Sequence, residues 1–206
     1  MEPAATTPGR PLGLRAILPM FIAMVALAFL LTYLFGPKPL LAVVAGGASA
    51  KRQVGWGIVI GLAVAVPAWA AIRNITALAG FRDQMLTLAH RIDLRGFNPL
   101  WFGLCAGVGE EALCRGALQP LLGIWWTSLL FTLAHYRTGI FRSMNLRKWG
   151  YAAFVFLSSM LMGYVLIELG LIAAAVAHAV VDVIGIVLLR GEVHRNQVSL
   201  ARTTAK

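Results

Sequence analysis

Long apolar runs dominate the chain, and each is about as long as a helix that crosses a membrane. A transmembrane helix needs about 20 mostly apolar residues, and six runs meet this requirement. They cover residues 15–35, 54–73, 99–118, 121–140, 150–167 and 171–189. The pattern predicts an all-α, polytopic membrane protein built from a bundle of about six transmembrane helices.

Residues 74–97, which connect the second run to the third, show a different pattern. Apolar side chains recur at spacings of three and four, from Ile75 to Ile92, while polar and charged side chains fall on the other side. This stripe is typical of an interfacial amphipathic helix. The predicted organisation is a cytoplasmic tail (1–14), two spans with this connector (15–97), a core (98–190) and a second cytoplasmic tail (191–206).

The composition agrees with a membrane protein. Of the 206 residues, 59% are hydrophobic and 13% are charged, whereas about 25% are charged in a typical soluble domain. This excludes a water-soluble globule and a disordered chain. The net charge of +10 would indicate nucleic-acid binding in a soluble protein, but basic cytoplasmic loops explain it in a membrane protein. We therefore expect contact with a lipid bilayer and none with nucleic acid.

The basic residues also predict the orientation in the membrane. If the N-terminus is cytoplasmic, the outer loops hold only Lys38, Lys51 and Arg52, and nearly all other basic residues lie in cytoplasmic segments. Cytoplasmic loops carry the excess of Lys and Arg, so we expect both termini in the cytoplasm. Arginine outnumbers lysine and alanine is abundant, which indicates a bacterium with a GC-rich genome and hence the bacterial inner membrane.

Six ionisable side chains lie inside the predicted spans, away from their ends. They are Glu110, Glu111, Arg115, His135, His178 and Asp182. A charged group at the centre of a bilayer costs about 2.5–3.5 kcal/mol, so together they would cost more than the net stability of a typical domain. Packing alone could be achieved by leucine or phenylalanine. We therefore expect these groups to pair with one another and to carry the function.

The first polar cluster lies on the third span. Glu111 and Arg115 are four residues apart, so they share one helix face and can form an ion pair. Glu110 lies about 100° round the helix from Glu111 and is left for a group on another helix. Small residues let helices approach closely, and three glycines that would allow the fourth and sixth spans to reach Glu110 lie around this cluster: Gly103, Gly107 and Gly109.

The other two clusters each contain a histidine. On the fourth span, Phe131 and His135 share a helix face because they are four residues apart. On the sixth span, His178 and Asp182 have the same spacing, so Asp182 can orient His178 or stabilise its charge. The depths of these groups along their spans predict that they meet near the middle of the membrane.

Three kinds of chemistry fit a glutamate, two histidines and an aspartate at this depth. Glu110 and His135 could activate water as a general base pair, while His178 and Asp182 stabilise an oxyanion. Alternatively, Glu110, His135 and His178 could bind zinc as a hydrolytic His₂Glu set, although the compact HExxH motif is absent. The same residues could also form a proton relay or ligand site in a membrane transport or binding protein.

Taken in order, the three clusters resemble a known family. They read EEALCR at 110–115, FTLAH at 131–135 and HAVVD at 178–182. This series is similar to the EExxxR, FxxxH and HxxxN or HxxxD motifs of the CPBP family, the CAAX-protease and bacteriocin-processing intramembrane endopeptidases, also called Abi. The resemblance covers about residues 97–190.

The resemblance implies an α-helical membrane endopeptidase and a role for each matching residue. Glu110 and His135 correspond to the pair that activates water, and His178 and Asp182 to the oxyanion side. Supporting residues that shape the site are Glu111, Arg115 and Phe131. The family has been described both as metalloproteases and as metal-independent glutamate proteases; we favour the glutamate mechanism, with no cofactor, and zinc as the alternative.

The resemblance also limits what can be expected of the substrate and of Asp182. Eukaryotic relatives trim prenylated CAAX proteins, a route that bacteria lack. We therefore expect the substrate to be a membrane-associated peptide or protein, with cleavage at a C-terminal sorting or processing segment. Asparagine is common at the position of Asp182, and an ionised aspartate cannot donate a hydrogen bond to an oxyanion.

Overall fold

The computed structural model describes residues 13–75, 82, 85–86, 92–135 and 146–204. These residues form seven α-helices and one π-helical segment, and no β-strand occurs among them. In chain order the elements are α1 (Leu14–Leu34), α2 (Leu40–Val44), α3 (Ala50–Asn74), α4 (Asn98–Glu111), the π segment (Ala112–Leu118), α5 (Gln119–Ala134), α6 (Leu146–Glu168) and α7 (Leu171–Thr204). The predicted all-α class is confirmed.

Within the described ranges, five helical runs are long and apolar enough to cross a membrane. They are Leu14–Leu34, Ala50–Asn74, Asn98–Ala134, Trp149–Glu168 and Leu171–Arg195. Four of them match predicted spans. The third run, of 37 residues, contains the predicted spans 99–118 and 121–140 together, although residues 136–140 lie outside the described ranges.

The third run doubles back on itself at Gly123. This residue has φ +76° and ψ 171° inside α5, a left-handed conformation that glycine adopts at little cost. In a straight helix Arg115 and Phe131 would be about 24 Å apart along the axis, yet the Arg115 guanidinium lies 5.4 Å from the centre of the Phe131 ring. The run is therefore a helical hairpin, and the five runs provide six limbs.

The first turns of α1 lie at the same end of the bundle as residues 186–190 of α7. Ile17 packs in one apolar cluster with Phe102 and Ile186, and the Arg190 side chain donates a hydrogen bond to the carbonyl of Gly96, at 3.3 Å. We call this the basic end, because four arginines lie near it: Arg15, Arg73, Arg95 and Arg190. Lys38, Lys51 and Arg52 lie towards the opposite end, in the segment between α1 and the start of α3. These seven described residues are therefore separated along the bundle axis in the way that was predicted for them.

Exposed tryptophans lie at two levels of the bundle, as expected for the two membrane–water interfaces. Trp56, Trp125 and Trp126 lie towards the Gly123 end, and Trp101 and Trp149 towards the basic end. Tryptophan is enriched at both membrane–water interfaces. Their positions fit a bilayer whose middle is near the predicted polar clusters.

The prediction of an amphipathic helix over residues 74–97 is correct only in part. Residues 82, 85 and 86 are helical, whereas residues 92–97 are not. Much of the segment lies outside the described residues, and α3 ends at Asn74. Asp93 accepts hydrogen bonds from the backbone N–H and the side chain of Arg95, a local turn that competes with helix formation. The side-chain hydrogen bond from Arg95 lowers the pKa of Asp93 to about 2, so the turn keeps its acceptor at any physiological pH.

Two further boundaries differ from the predicted ones. Helix α7 continues to Thr204, so most of the predicted tail 191–206 is helical. In the predicted outer loop, the short helix α2 turns back into the bundle, and Leu40 is buried against Ala117 and Leu171. The buried amide of Gln53 holds this loop by donating to the carbonyls of Gly46 and Ala48, at 2.9 and 2.7 Å. These contacts join the loop to the bundle.

Helix α7 lies between α3 and α4, and glycines on both neighbours let it approach. A Cβ atom on Gly57 or Gly61 of α3 would come within 2.6–2.8 Å of atoms in α7, and one on Gly107 of α4 would come within 2.6–2.8 Å of Ala179. The prediction that Gly103 and Gly107 admit the sixth span is correct. The same prediction for Gly109 is wrong, because that glycine packs against Phe21 and Met24 of α1.

Replacing Gly107 with alanine should push α7 away from α4. The new Cβ would meet the backbone of Ala179, which cannot move without the helix, and overpacking of this kind costs about 1–3 kcal/mol. We expect a lower unfolding temperature in detergent micelles. Gly55→Ala is the matched control, since no atom lies within 4 Å of its Cβ position. Equal unfolding temperatures for the two variants would contradict the packing described.

Candidate active site

The hairpin at Gly123 sets the first two polar clusters side by side. Glu111 precedes Gly123 by as many residues as His135 follows it, so the two limbs carry them to the same level. The π segment begins directly after Glu111, and such a segment widens the helix and changes the direction of the side chains on it. Glu110, Glu111, Arg115 and His135 consequently line one cavity.

Glu111 and Arg115 form a fully buried ion pair. Their side chains are 0% and 1% exposed, and Nε of Arg115 lies 3.2 Å from Oε2 of Glu111. The guanidinium also donates through Nη2 to the backbone carbonyl and the hydroxyl of Ser159 on α6, at 2.7 and 2.9 Å. The predicted pair is therefore present, and it ties the hairpin to α6 through a serine that the sequence did not single out.

His178 is held by Glu111 and not by Asp182. Nδ1 of His178 lies 2.7 Å from Oε1 of Glu111, and since that carboxylate is paired with Arg115, the imidazole is the donor. Asp182 lies at the other ring nitrogen, with Oδ2 3.7 Å from Nε2, too far for a direct hydrogen bond. Of the two roles expected for Asp182, orienting His178 or stabilising its charge, this separation fits the second. The predicted place of Asp182 beside His178 is right.

The remaining carboxyl of the first cluster faces the same ring nitrogen. Oε2 of Glu110 lies 3.9 Å from Nε2 of His178. The Glu110, His178 and Asp182 side chains are partly exposed, at 21%, 14% and 33%, and all three line the cavity. Nε2 of His178 therefore lies between the carboxyl groups of Glu110 and Asp182. Glu110 thus faces a group on another helix, as was predicted.

Phe131 separates the two histidines. Its ring centre lies 4.6 Å from that of His135 and 6.0 Å from that of His178. Nδ1 of His135 lies 2.8 Å from the carbonyl oxygen of Phe131, and because a carbonyl can only accept, Nδ1 carries the proton. A neutral His135 then has its lone pair on Nε2, which makes this atom a proton acceptor. Phe131 also stacks on Arg115, so all three clusters touch this ring.

The cavity has a volume of about 620 Å³, within the usual range for a binding pocket. Its polar groups lie at mid-depth, and apolar side chains of α1, α3, α4 and α7 continue the wall from there towards the basic end. Examples at that end are Met20, Ile72, Phe102 and Leu189. The arrangement suits an apolar or extended ligand whose reacting part meets the polar groups.

Three wall residues on α6 were missed by the sequence reasoning. Tyr151, Ser158 and Ser159 lie on one stripe of this helix, with Val155 and Met162 between and beyond them, and all line the cavity. The spacing of three and four was visible in the sequence. None of these side chains carries a charge at neutral pH, so the cost of placing a charge inside a span did not mark them.

The three residues expected as alternative zinc ligands are not arranged as a metal site among the described residues. Among the residues that the structure describes, no group of three histidine, cysteine, aspartate or glutamate side chains is arranged to hold a metal ion. Nδ1 of His178 is hydrogen-bonded to Glu111 and Nδ1 of His135 to the carbonyl of Phe131, bonds of the kind that metal-bound histidines also make. The expected alternative set for zinc, Glu110, His135 and His178, lines one cavity without forming a ligand cage.

The comparison with protein families gives one match. The model of the family described as type II CAAX prenyl endopeptidase, Rce1-like, matches residues 96–184. This segment contains all three polar clusters and the whole hairpin. No curated protein and no solved structure matches the chain.

Proposed function

We propose that the chain hydrolyses peptide bonds with a water molecule activated by Glu110 and His135, because residues 96–184 match the Rce1-like family of type II CAAX prenyl endopeptidases. We infer from this match that the chain is a CAAX-type intramembrane endopeptidase. The mechanism and the substrate class are our proposal.

One arrangement carries the proposed mechanism. Oε2 of Glu110 and Nε2 of His178 face each other at 3.9 Å across a cavity that His135 also lines. This separation is too long for a direct hydrogen bond and leaves room for an oxygen atom that contacts both groups. A carboxylate on one side and an imidazole on the other can serve as a general base and as a hydrogen-bond donor to a developing oxyanion.

The proposed reaction proceeds in two steps. Glu110, with His135 as second acceptor, takes a proton from water while the water oxygen attacks the carbonyl carbon of the scissile peptide bond. The carbonyl oxygen becomes an oxyanion, to which an imidazolium of His178 donates from Nε2; Glu111 and Asp182 stabilise the imidazolium charge. Glu110 then passes its proton to the leaving nitrogen, the C–N bond breaks, and a carboxylic acid and an amine are released.

The proposed substrate is a membrane-associated peptide or protein that enters from the basic end. The cavity wall towards that end is apolar, so it suits a hydrophobic segment better than a charged one. The basic end is the end that the distribution of loop charges predicts to be cytoplasmic. We propose that the bond cleaved belongs to a C-terminal sorting or processing segment.

Hydrolysis can be tested with the full chain in liposomes. Two probes are added in ¹⁸O-labelled water: a farnesylated C-terminal peptide and an unprenylated peptide with one transmembrane segment. We expect cleavage of at least one, with one ¹⁸O atom in each new carboxylate, and no cleavage by Glu110→Gln. Absence of cleavage, with Glu110-dependent flux of protons across the liposome membrane, would overturn the proposal in favour of a transport protein.

The cleavage should not require a metal ion. The proposed mechanism uses side chains alone, so treatment with a chelator and removal of the chelate should leave the cleavage rate of the same peptide within about twofold. Elemental analysis of the treated protein checks that transition metals are absent. A large loss of rate that stoichiometric zinc restores would show that the mechanism is metal-dependent.

A further inference from the structure

We propose that Tyr151 is a further catalytic residue, whose hydroxyl donates a hydrogen bond to the oxyanion formed during hydrolysis. The proposal rests on the proposed function and adds a residue outside the three clusters found in the sequence. Tyr151 lies near the start of α6, is 9% exposed, and lines the cavity that holds Glu110, His135 and Asp182.

The register of the helices places Tyr151 at the level of the third cluster. Arg115 contacts Ser159 and Gln119 contacts Gly163, and in both pairs the residue numbers differ by 44. Helix α6 therefore runs alongside the first limb of the hairpin in the same direction. The same difference pairs Tyr151 with Gly107. Gly107 is the position against which Ala179 of α7 packs, and Ala179 directly follows His178. Tyr151 is therefore close in depth to the His178–Asp182 pair.

The charges around the site create a need for a donor. The carboxyls of Glu110, Glu111 and Asp182 surround His178, and an oxyanion formed among them is repelled unless hydrogen-bond donors face it. An ionised aspartate has no proton to donate, and the Ser159 hydroxyl, which accepts from Arg115, is only 2% exposed. Tyr151 supplies a neutral donor in the same cavity wall as Asp182 and Glu110.

The ring of Tyr151 is fixed before any substrate arrives. It packs with Val155 in one buried cluster, against Phe131, Ile72 and Met85. Phe131 is the same ring that contacts both catalytic histidines. A donor held in this way requires little reorganisation when charge develops, which is the property that makes oxyanion-stabilising groups effective.

The first test is Tyr151→Phe, which keeps the ring and removes only the hydroxyl. We expect kcat for the cleaved probe peptide to fall by about 10²-fold, the usual effect of losing one oxyanion donor, with little change in KM. Tyr164→Phe is the matched control on the same helix, because Tyr164 is 51% exposed and faces away from the cavity. If Tyr151→Phe has the kcat of the parent, the proposal is overturned.

The second test asks whether Tyr151 does what Asp182 cannot. Asp182→Asn introduces an amide donor at the neighbouring position, so Tyr151→Phe should lower kcat by less than tenfold in that background. A structural role would give the same loss in both backgrounds and would overturn the proposal. The Glu110→Gln variant distinguishes failure of the proposed function from failure of the role of Tyr151. If Glu110→Gln cleaves at the rate of the parent, the proposed function is wrong. If Glu110→Gln is inactive and Tyr151→Phe is fully active, only the role of Tyr151 is wrong.

Discussion

Replacing Glu110 with glutamine should lower kcat for the cleaved peptide by about 10³–10⁴-fold while the protein stays folded. General acid–base catalysis contributes about 10²–10⁴-fold, and Glu110 is proposed both to accept the proton of water and to return it to the leaving nitrogen. Glutamine has the same shape but cannot carry the proton, so KM should change little. The measurement is steady-state cleavage of the probe peptide in liposomes.

The stability of this variant distinguishes a lost catalyst from a damaged fold. Glu110 makes no ion pair with Arg115, and its partner His178 keeps its hydrogen bond to Glu111, so the unfolding temperature of Glu110→Gln should equal or exceed that of the parent. Glu168→Gln, at the exposed end of α6, is the control and should have the parent's kcat. A folded Glu110→Gln protein with more than a tenth of the parent's kcat would contradict the assignment of Glu110.

The meeting of the three clusters could be predicted because charge inside a membrane is costly. Glu110, His135 and His178 each needed a partner that their own helix did not supply, and the cheapest solution was to place them together. Spacing of four residues correctly paired Glu111 with Arg115. In both cases the cost of an unpaired charge inside the membrane decided the outcome, and residue types and spacing alone reveal where that cost arises.

The hairpin could not be placed correctly, because local signals pointed to the wrong residues. The predicted spans 99–118 and 121–140 are separated only by Gln119 and Pro120. In the structure Gln119 is buried and donates to the carbonyl of Gly163, a partner on another helix. Pro120 lies in the first turn of α5, where its missing N–H is tolerated. The chain reverses three residues later, at Gly123.

The partner of His178 was also decided by tertiary structure. Asp182 was the nearest acidic residue along the helix, but the hairpin brings Glu111 to the opposite ring nitrogen, at 2.7 Å. A sequence pattern within one helix shows which groups can meet and not which group on another helix competes for them. Ser159 and Tyr151 escaped prediction for the same reason, since their importance depends on what packs against α6.

Replacing Arg115 with methionine should be the most destabilising single change in the site. Methionine fills a similar volume, but Glu111 would remain as a charge with no exposed surface, and breaking a buried pair in this way costs about 3–5 kcal/mol. Ser159 would also lose the donor to its carbonyl and hydroxyl. We expect a marked fall in the unfolding temperature in micelles and, because His178 depends on Glu111, loss of cleavage.

Two double variants separate the contribution of this pair to stability from its effect on His178. Arg115→Met with Glu111→Gln removes both charges but keeps a side-chain oxygen that can accept from Nδ1 of His178. Arg115→Met with Glu111→Leu removes the acceptor as well. Both should regain most of the stability lost in the single variant, since a buried pair replaced by neutral groups of similar volume is often tolerated. The glutamine form should cleave at least tenfold faster than the leucine form, because only it holds the imidazole. Equal rates would show that the hydrogen bond between Glu111 and His178 does not position the ring for catalysis.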